Sequence, residues 1–347
     1  MSRPTFVVDG QPRPQLASGL LSMAIAENVD GLYRCEATFG NWGSATGATL
    51  DYLYFDRSLL DFGKTFVVKL ESDTLFEGAI TGLEGQFPSG GRAPEVTVLA
   101  EDRLQDLRMT RRTRTFVDAS DAAVIRQIAG DYGLTAEVTL TGPTHTVLAQ
   151  VNQSDLAFIR ERAHALDAEV WVNGRTLHVK PHADRRDGTV TLGYRIELST
   201  FSVLADLAHQ RTTVTVSGWD VKGKSAITHD ATDSIVSGEL DGGKSGASLL
   251  KSAFGDRKET IAHQVPLTSD DAQHAAEAAF RLRARRFITA HGVASTVAGM
   301  KVGAAADVKG VGPLFSGKYY LTDVRHLFDG NGLRSEFTGQ RPGLGAQ

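Results

Sequence analysis

Hydrophobic and polar residues alternate with a period of two along much of the first part of the chain, which is typical of β-strands with one buried face. In Leu32–Phe39 an aromatic or small apolar residue occupies every second position. Further runs occur around Phe66–Leu70, Leu75–Leu83 and Glu95–Glu101, and the segments between them contain glycines typical of turns. We therefore predict a nearly all-β domain over residues 1–110.

Part of this pattern occurs a second time near the C-terminus. Lys69–Asp102 and Val308–Arg341 each contain a short run, a longer alternating run and, after glycines, a final alternating run. In a gapless alignment, Leu75–Gly78 (LFEG) falls on Leu314–Gly317 (LFSG). This order of elements predicts two similar β-units at opposite ends of the chain. The alternative is that the segments are alike only because β-hairpins in general are alike.

Between the two β-units the periodicity changes to that of amphipathic helices. One helix is predicted to end at Gly133, and a second covers Ser154–Leu166. Alternating runs then flank Asn173-Gly174, a dipeptide typical of two-residue hairpin turns. We predict an inserted α+β domain over residues 111–187.

The rest of the chain, residues 188–347, is predicted to be the second β-domain. It contains a polar, glycine-rich insertion at about residues 225–268, with little regular pattern. A long helix follows at about residues 270–287. Thr268 is its predicted cap, with Asp271 at the third helical position, and arginines gather near its end, where the helix dipole favours cations.

Composition excludes several classes of function. The chain has 347 residues and a net charge of −4, which argues against nucleic-acid recognition. Because Cys35 is the only cysteine, an intrachain disulfide or a thiolate zinc cluster is excluded, and its place in an alternating run favours a core residue over a nucleophile. No apolar run has the length of a membrane helix, and no signal peptide is recognised. We expect no membrane insertion.

One segment matches the motif of a phosphate-binding loop. Gly238–Ser245 has the sequence GELDGGKS, which fits G-x-x-x-x-G-K-[ST]. In such a loop Lys244 would contact the terminal phosphate and Ser245 a magnesium ion. The motif requires a parallel sheet with alternating helices, whereas the surrounding pattern is antiparallel. A P-loop nucleotide-binding protein is therefore the less favoured alternative.

Charged residues elsewhere indicate no active site. Four arginines crowd one segment: Arg108, Arg111, Arg112 and Arg114. They fit a phosphate-binding patch, but we favour a solvated linker or one face of a strand, and no interleaved aromatic residues indicate nucleic-acid stacking. His178 and His182 straddle Pro181, so no helix presents them as a metal-binding pair. Asp323 and His326 are interpreted as a surface pair. We predict no catalytic, cofactor-binding or metal-binding residue and no cofactor.

Four segments resemble one known family, and they follow one another along the chain in the same order as in that family. In that family a helix begins with Q-x-N-x-S-D-x-x-F-I/L-x-R. Within Gln150–Pro181 the matching residues are Gln150, Asn152, Ser154, Asp155, Phe158 and Arg160 or Arg162. VGPLFSGKYYLTDVRHLFDGNG, from Val311, has the form of the family's last strands, and RPTFVVDGQ and FVDASDAAVIRQIAGDYGL also match. The chain thus resembles the tail-hub family of phage late control D proteins and the N-terminal half of valine–glycine-repeat spikes of type VI secretion.

The resemblance implies a mainly β (α+β) fold with two tube-like β-barrel domains, an inserted small α+β domain and no C-terminal needle. It further implies a structural, non-catalytic hub of a contractile tail or injection machine, in which a homotrimer adapts a sixfold inner tube to a threefold spike. The expected partners are further copies of the chain, a separate spike protein, the tail-tube protein and baseplate components.

By the same resemblance, the protein is expected to assemble in the bacterial cytoplasm as part of a phage tail or contractile injection particle. The sequence does not choose between phage, secretion system and extracellular injector. A β-rich glycan-binding module is the second alternative. Exposed, clustered aromatic residues would favour it, and the three tryptophans are not clustered in the sequence.

Overall fold

The computed structural model describes residues 3–44, 49–221, 223–262, 266–297 and 299–345. The fold is mainly β, as predicted, and its largest element is a sheet of 13 strands. Helices lie between the strands of the middle and later parts of the chain.

Up to residue 110, strands joined by turns alternate with two short helices. These elements are β1 (Thr5–Val8), β2 (Gln11–Pro12), α1 (Pro14–Gly19), β3 (Leu20–Asn28), β4 (Arg34–Gly40), β5 (Trp42–Gly43), β6 (Asp51–Tyr52), β7 (Thr65–Leu70), β8 (Asp73–Gln86), β9 (Glu95–Glu101) and α2 (Leu104–Arg108).

The middle segment contains the two predicted helices and the predicted hairpin. Its elements are β10 (Arg111–Ser120), α3 (Asp121–Asp131), β11 (Thr135–Val138), β12 (Thr144–Ser154), α4 (Asp155–Ala165), β13 (Ala168–Asn173), β14 (Thr176–Pro181) and a 3₁₀ turn (His182–Asp184). Ser120 and Ser154 cap α3 and α4 by accepting hydrogen bonds from the backbone N–H groups of Ala123 and Ala157.

The last segment returns to the large sheet. Its elements are β15 (Thr189–Gly193), β16 (Leu198–Ala205), β17 (Thr213–Asp220), β18 (Ser225–Ala231), a 3₁₀ helix (Asp233–Glu239), β19 (Lys244–Ser245), α5 (Gly246–Phe254), β20 (Lys258–Ile261), α6 (Ser269–Arg285), β21 (Ile288–Ser295), β22 (Ala305–Lys309), β23 (Gly317–Asp329), β24 (Gly332–Arg341) and β25 (Gly343–Leu344). Thr268 and Asp271 form the predicted capping box at the start of α6.

The large sheet contains the same strand order twice. In the first β-unit the order is β3-β4-β9-β8-β7-β1, and in the second it is β16-β21-β24-β23-β22-β15. The two units are not separate sheets, because β3 of the first pairs antiparallel with β23 of the second. Each unit has its own hydrophobic core.

Irregularities in strand pairing occur at matching places in the two units. The pairing of β3 with β4 shifts after Leu20, and that of β16 with β21 shifts after Leu198. The pairing of β8 with β9 shifts after Ile80, and that of β23 with β24 after Leu321. β-Bulges are kept at the same positions in related proteins. Two bulges at matching positions therefore support the predicted duplication.

The predicted correspondence between Leu75–Gly78 and Leu314–Gly317 is wrong. Leu75–Gly78 lies within β8, whereas most of Leu314–Gly317 forms the turn before β23. The shared bulge at Ile80 and Leu321 makes Phe76 correspond to Gly317. The difference arises because a tight turn joins β7 to β8, whereas the longer loop 310–316 joins β22 to β23.

The insertion at residues 225–268 is more ordered than its sequence pattern indicated. Strands β17, β18 and β20 form a three-stranded sheet that packs under α6. Ile227, Val236 and Ile261 contribute to its core against the buried Phe280 and alanines of α6. Each strand supplies few apolar residues, so the pattern was too short to recognise.

Candidate functional site

Buried charged side chains form a joint between the middle segment and both β-units. Glu169 of β13 accepts hydrogen bonds from Arg185 Nη1 at 3.0 Å and from the Tyr320 hydroxyl at 2.7 Å. His182 Nδ1 lies 2.6 Å from the same carboxylate. Arg185 also donates to the Tyr33 hydroxyl at 2.9 Å. We call these five residues the charged joint.

The electrostatics of the charged joint favour its ionised carboxylate. Burial alone would raise the pKa of Glu169, but the hydrogen bond to His182 and the charges of His182 and Arg185 outweigh burial and hold it below its usual value. Burial also raises the pKa of the Tyr320 hydroxyl, which therefore remains a donor. The joint binds the middle segment to the rest of the chain, and no reaction is evident from its geometry.

Glu27 lies close to the charged joint but has a different environment. It is 9% exposed, and its carboxylate accepts a hydrogen bond from the backbone N–H of Val302 at 3.1 Å. Burial raises its pKa to about 7, although that bond and the charge of Arg185 act in the opposite direction. Ionised Glu27 is therefore a cost to the fold at alkaline pH.

Replacing Glu27 with glutamine is expected to stabilise the protein above pH 8 and to have little effect near pH 4.5. The folded pKa of about 7 lies above the ordinary value of 4.5, so the stability that the carboxyl contributes is present below pH 4.5 and is lost as the pH rises through 7. The gain at pH 8 should approach about 3 kcal/mol. Urea unfolding at both pH values measures it.

Glu36→Gln is the matched control for this prediction, because Glu36 is exposed on the neighbouring strand β4. It should leave the pH dependence unchanged. An equal effect of Glu27→Gln at both pH values would contradict the assignment of a raised pKa to Glu27.

Two of the four crowded arginines are built into the structure of the middle segment. Arg112 Nε lies 3.0 Å and Arg114 Nη2 2.7 Å from the carboxylate oxygens of Asp155, which is fully buried. Gln150, also fully buried, donates to Asp155 at 2.9 Å. The motif residues Gln150, Ser154 and Asp155 thus anchor α4 to β10 and β12, which supports the strand-face interpretation of these arginines.

The segment that matches a phosphate-binding loop has a different geometry. The residues before it form a 3₁₀ helix and not the strand that precedes a phosphate-binding loop. Ser245 caps α5 and donates to Asp233 at 3.1 Å. The backbone carbonyl of Leu344 lies where a side chain on Gly243 would be. The backbone that would surround a phosphate is therefore packed against the strand β25.

The interpretation of Asp323 and His326 as a surface pair is also wrong. His326 is buried, its Nδ1 lies 2.7 Å from Ser335 Oγ, and burial lowers its pKa to about 4. Asp323 is exposed. Residues three apart on a strand point to opposite faces, which separates the two side chains.

Cys35 is buried in the first core, as predicted, and burial raises the pKa of its thiol.

Within the described residues, two of the unpaired strand edges in the large sheet have paired equivalents in the other β-unit. Strand β16 pairs with β21 alone, and residues 81–86 of β8 pair with β9 alone. Their equivalents in the other unit are β3 and the second half of β23, and those two pair with each other. The chain therefore contains one such contact, between β3 and β23. It also contains the two strands that could form a second, β16 and the end of β8, but these do not pair with each other.

An exposed aromatic cluster lies beside the open part of β8. Trp42, Tyr52, Phe55 and Phe87 are 44%, 45%, 37% and 64% exposed, and adjacent ring centroids are 5.3 to 6.0 Å apart. Gly85 makes room for the cluster, because a Cβ there would lie 2.9 Å from Phe55. The cluster joins Phe87 to residues of an earlier loop, and the sequence has no periodic pattern that indicates this contact. The neighbouring segment Asn41–Thr49 is rich in glycine, which predicts a loop, and residues 45–48 of it lie outside the described residues.

Within the described ranges, no group of histidine, cysteine and acidic residues could hold a metal ion. In the same part of the chain, no helix has the combination of length and apolar character that a membrane span requires.

Comparison with known proteins relates this fold to two groups. The family model of the Alg8 N-terminal domain matches residues 65–329, and it differs from the late control D family that the motifs resemble. No curated protein matches the chain. Solved structures match over most of its length.

The matching structures include tail proteins of bacteriophage type. The 43 kDa tail protein of prophage MuSo2 from Shewanella oneidensis has a TM-score of 0.72 at 10% identity, covering 99% of each chain. A tail protein from Neisseria meningitidis has a TM-score of 0.67 at 11% identity, covering 99% of this chain and 97% of that one. The E. coli protein c3393, a component of the type VI secretion system, has a TM-score of 0.60 at 12% identity, covering 95% and 76%. This chain has the same fold.

Proposed function

We propose a function from the premise that this chain belongs to the Alg8 N-terminal domain family and has the fold of phage tail proteins over nearly its whole length. The function is that of a structural hub subunit in a contractile tail or injection machine, as in the late control D proteins that its motifs resemble. Three copies form a ring that joins a sixfold inner tube to a threefold spike. The hub has no catalytic role.

The open strand edges carry this proposal. Within one chain, β3 of the first β-unit pairs with β23 of the second. If the same contact forms between chains, β16 of one copy pairs with residues 81–86 of β8 in the next copy. Repetition around a threefold axis closes a ring of six similar units in which both of these edges are paired, and pairing relieves the liability of exposed strand edges.

The internal contact also specifies the register between copies. Arg325 pairs with Ala26 inside the chain, and the shared bulges make these residues equivalent to Glu84 and Leu204. Leu204 is 63% exposed in the single chain. The aromatic cluster lies at the same seam and gains burial there.

The cluster is also the feature that a glycan-binding module would need. Its rings pack mainly against one another, with Trp42 and Tyr52 at 78° and Tyr52 and Phe87 at 81°. Because the cluster lies beside the open part of β8, where another copy of the chain would pair, we favour the assembly function.

A cysteine pair tests the proposed interface. Residues directly opposite on antiparallel strands have Cβ atoms about 5 Å apart, within reach of a disulfide after small adjustment. Oxidised Glu84→Cys/Leu204→Cys protein should therefore form covalent dimers and trimers on a non-reducing gel. Native Cys35 is buried and gives little background.

The control is Glu84→Cys/Val203→Cys, which moves one thiol to the adjacent position on the opposite face of β16. It should crosslink poorly. A protein that is monomeric at all concentrations, or equal crosslinking of both pairs, would contradict the proposed ring.

We further propose that residues 1–110 and 188–347 are the two tube-like domains and that residues 111–187 lie outside the ring. The proposed partners are a separate spike protein, the tail-tube protein and baseplate components. Assembly in the bacterial cytoplasm is part of the same proposal. Density from particles that contain the hub should show three copies of the chain.

A further inference from the structure

A cleft of about 400 Å³ opens beside the charged joint. Its walls come from the loop after β14, the loop that leads to β19, and the ends of β23 and β24. A cleft of this volume is large enough to hold a small ligand. The cleft involves neither the open strand edges nor the aromatic cluster.

Part of the charge around the cleft is already neutralised. Arg285 binds Glu239, with Nε 2.7 Å from a carboxylate oxygen, and also binds Asp167. His182 is held by Glu169, as described above. These groups therefore offer little attraction to a further anion.

Three other cations in the cleft have no carboxylate partner within the described residues. Arg186, Lys318 and Arg341 line the cleft, and none of them forms an ion pair there. Asp241 also lines the cleft and is likewise without an ion pair in the described part of the chain. Three positive charges and one negative charge leave a net charge of about +2, which complements a dianion.

Arg341 has the most unusual environment of the three. It is 7% exposed, and its Nη atoms donate to the carbonyls of Ser316 and Leu314 at 3.0 and 2.8 Å. The Nε atom is buried without a hydrogen-bond partner in the structure. Burial lowers the pKa of this guanidinium. The charge of Asp241 acts in the opposite direction but does not outweigh burial. A buried cation that is only partly compensated is costly, and a bound anion would relieve that cost.

We propose that this cleft is a phosphate-binding site. Arg186, Lys318 and Arg341 supply the positive charge, and the phosphate group comes from inorganic phosphate or a phosphomonoester. The first half of Gly238–Ser245 lines the cleft, but Lys244 does not. The site therefore differs from the phosphate-binding loop that the sequence motif describes.

Calorimetric titration of the full chain with inorganic phosphate tests the proposal, at pH 8, where phosphate is a dianion, and at constant ionic strength. Wild-type protein should bind saturably. Lys318→Ala and Arg186→Ala should each weaken binding by about fivefold, and Asp241→Asn should strengthen it by a similar factor. Lys318 and Arg186 are exposed, so their variants should fold.

Lys244→Ala is the matched control, because it removes an exposed lysine of the same loop that lies outside the cleft. It should bind phosphate like the wild type. Glycerol phosphate in place of phosphate distinguishes a phosphomonoester from the free ion, and acetate should not compete. The proposal is overturned if the wild type does not bind, if acetate binds equally well, or if Lys244→Ala abolishes binding while Lys318→Ala does not.

Discussion

Replacing Glu169 with alanine is expected to destabilise the protein by about 3–5 kcal/mol. The substitution removes the carboxylate that Arg185, His182 and Tyr320 share, and Arg185 is only 3% exposed. Arg185 keeps its ion pair with Asp187 at 2.9 Å, but a buried cation that loses one of two carboxylate partners is costly, because water does not replace the lost partner. Urea unfolding followed by the fluorescence of Trp171 measures the loss, since the Arg185 guanidinium lies 4.1 Å from the centre of that ring.

Glu137→Ala is the control for this experiment. Glu137 is an exposed carboxylate in the same small sheet, where it binds Lys180 at 3.0 Å. Its loss should cost less than about 1 kcal/mol, as for other surface ion pairs. Equal effects of the two substitutions would mean that the charged joint does not stabilise the fold.

Leu204→Asp is expected to convert the proposed trimer to monomers without unfolding the chain. The substitution replaces an exposed leucine on the open edge of β16 and places a second carboxylate opposite Glu84 of the next copy. Like charges across an interface cost several kcal/mol, so the trimer should weaken by about a hundredfold or more. Analytical ultracentrifugation measures the mass, and circular dichroism reports the fold.

A second substitution distinguishes the interface from general loss of solubility. Glu84→Lys combined with Leu204→Asp restores opposite charges across the seam and should recover the trimer. Val117→Asp, on an exposed valine of β10, should remain trimeric. Failure of the double variant to recover, or dissociation by Val117→Asp, would place the interface elsewhere.

The sequence was informative where structure depends on neighbouring residues. Thr268 and Asp271 indicate the start of α6 because a capping box lies within four consecutive positions. Asn173-Gly174 indicates the hairpin between β13 and β14 for the same reason. Strand alternation also indicated the repeated order of β-elements. The gapless alignment failed at Leu314–Gly317, because turn lengths vary between related hairpins while strand order does not.

The tertiary structure alone decided how distant segments meet. The pairing of β3 with β23, which merges two β-units into one sheet, joins residues almost 300 positions apart in the chain. The charged joint, the aromatic cluster and the cationic cleft also combine residues from several segments, and none has a pattern of its own in the sequence. Periodicity specifies which face of a strand is buried. It does not specify which other strand covers an edge, because backbone hydrogen bonds are nearly the same for every partner.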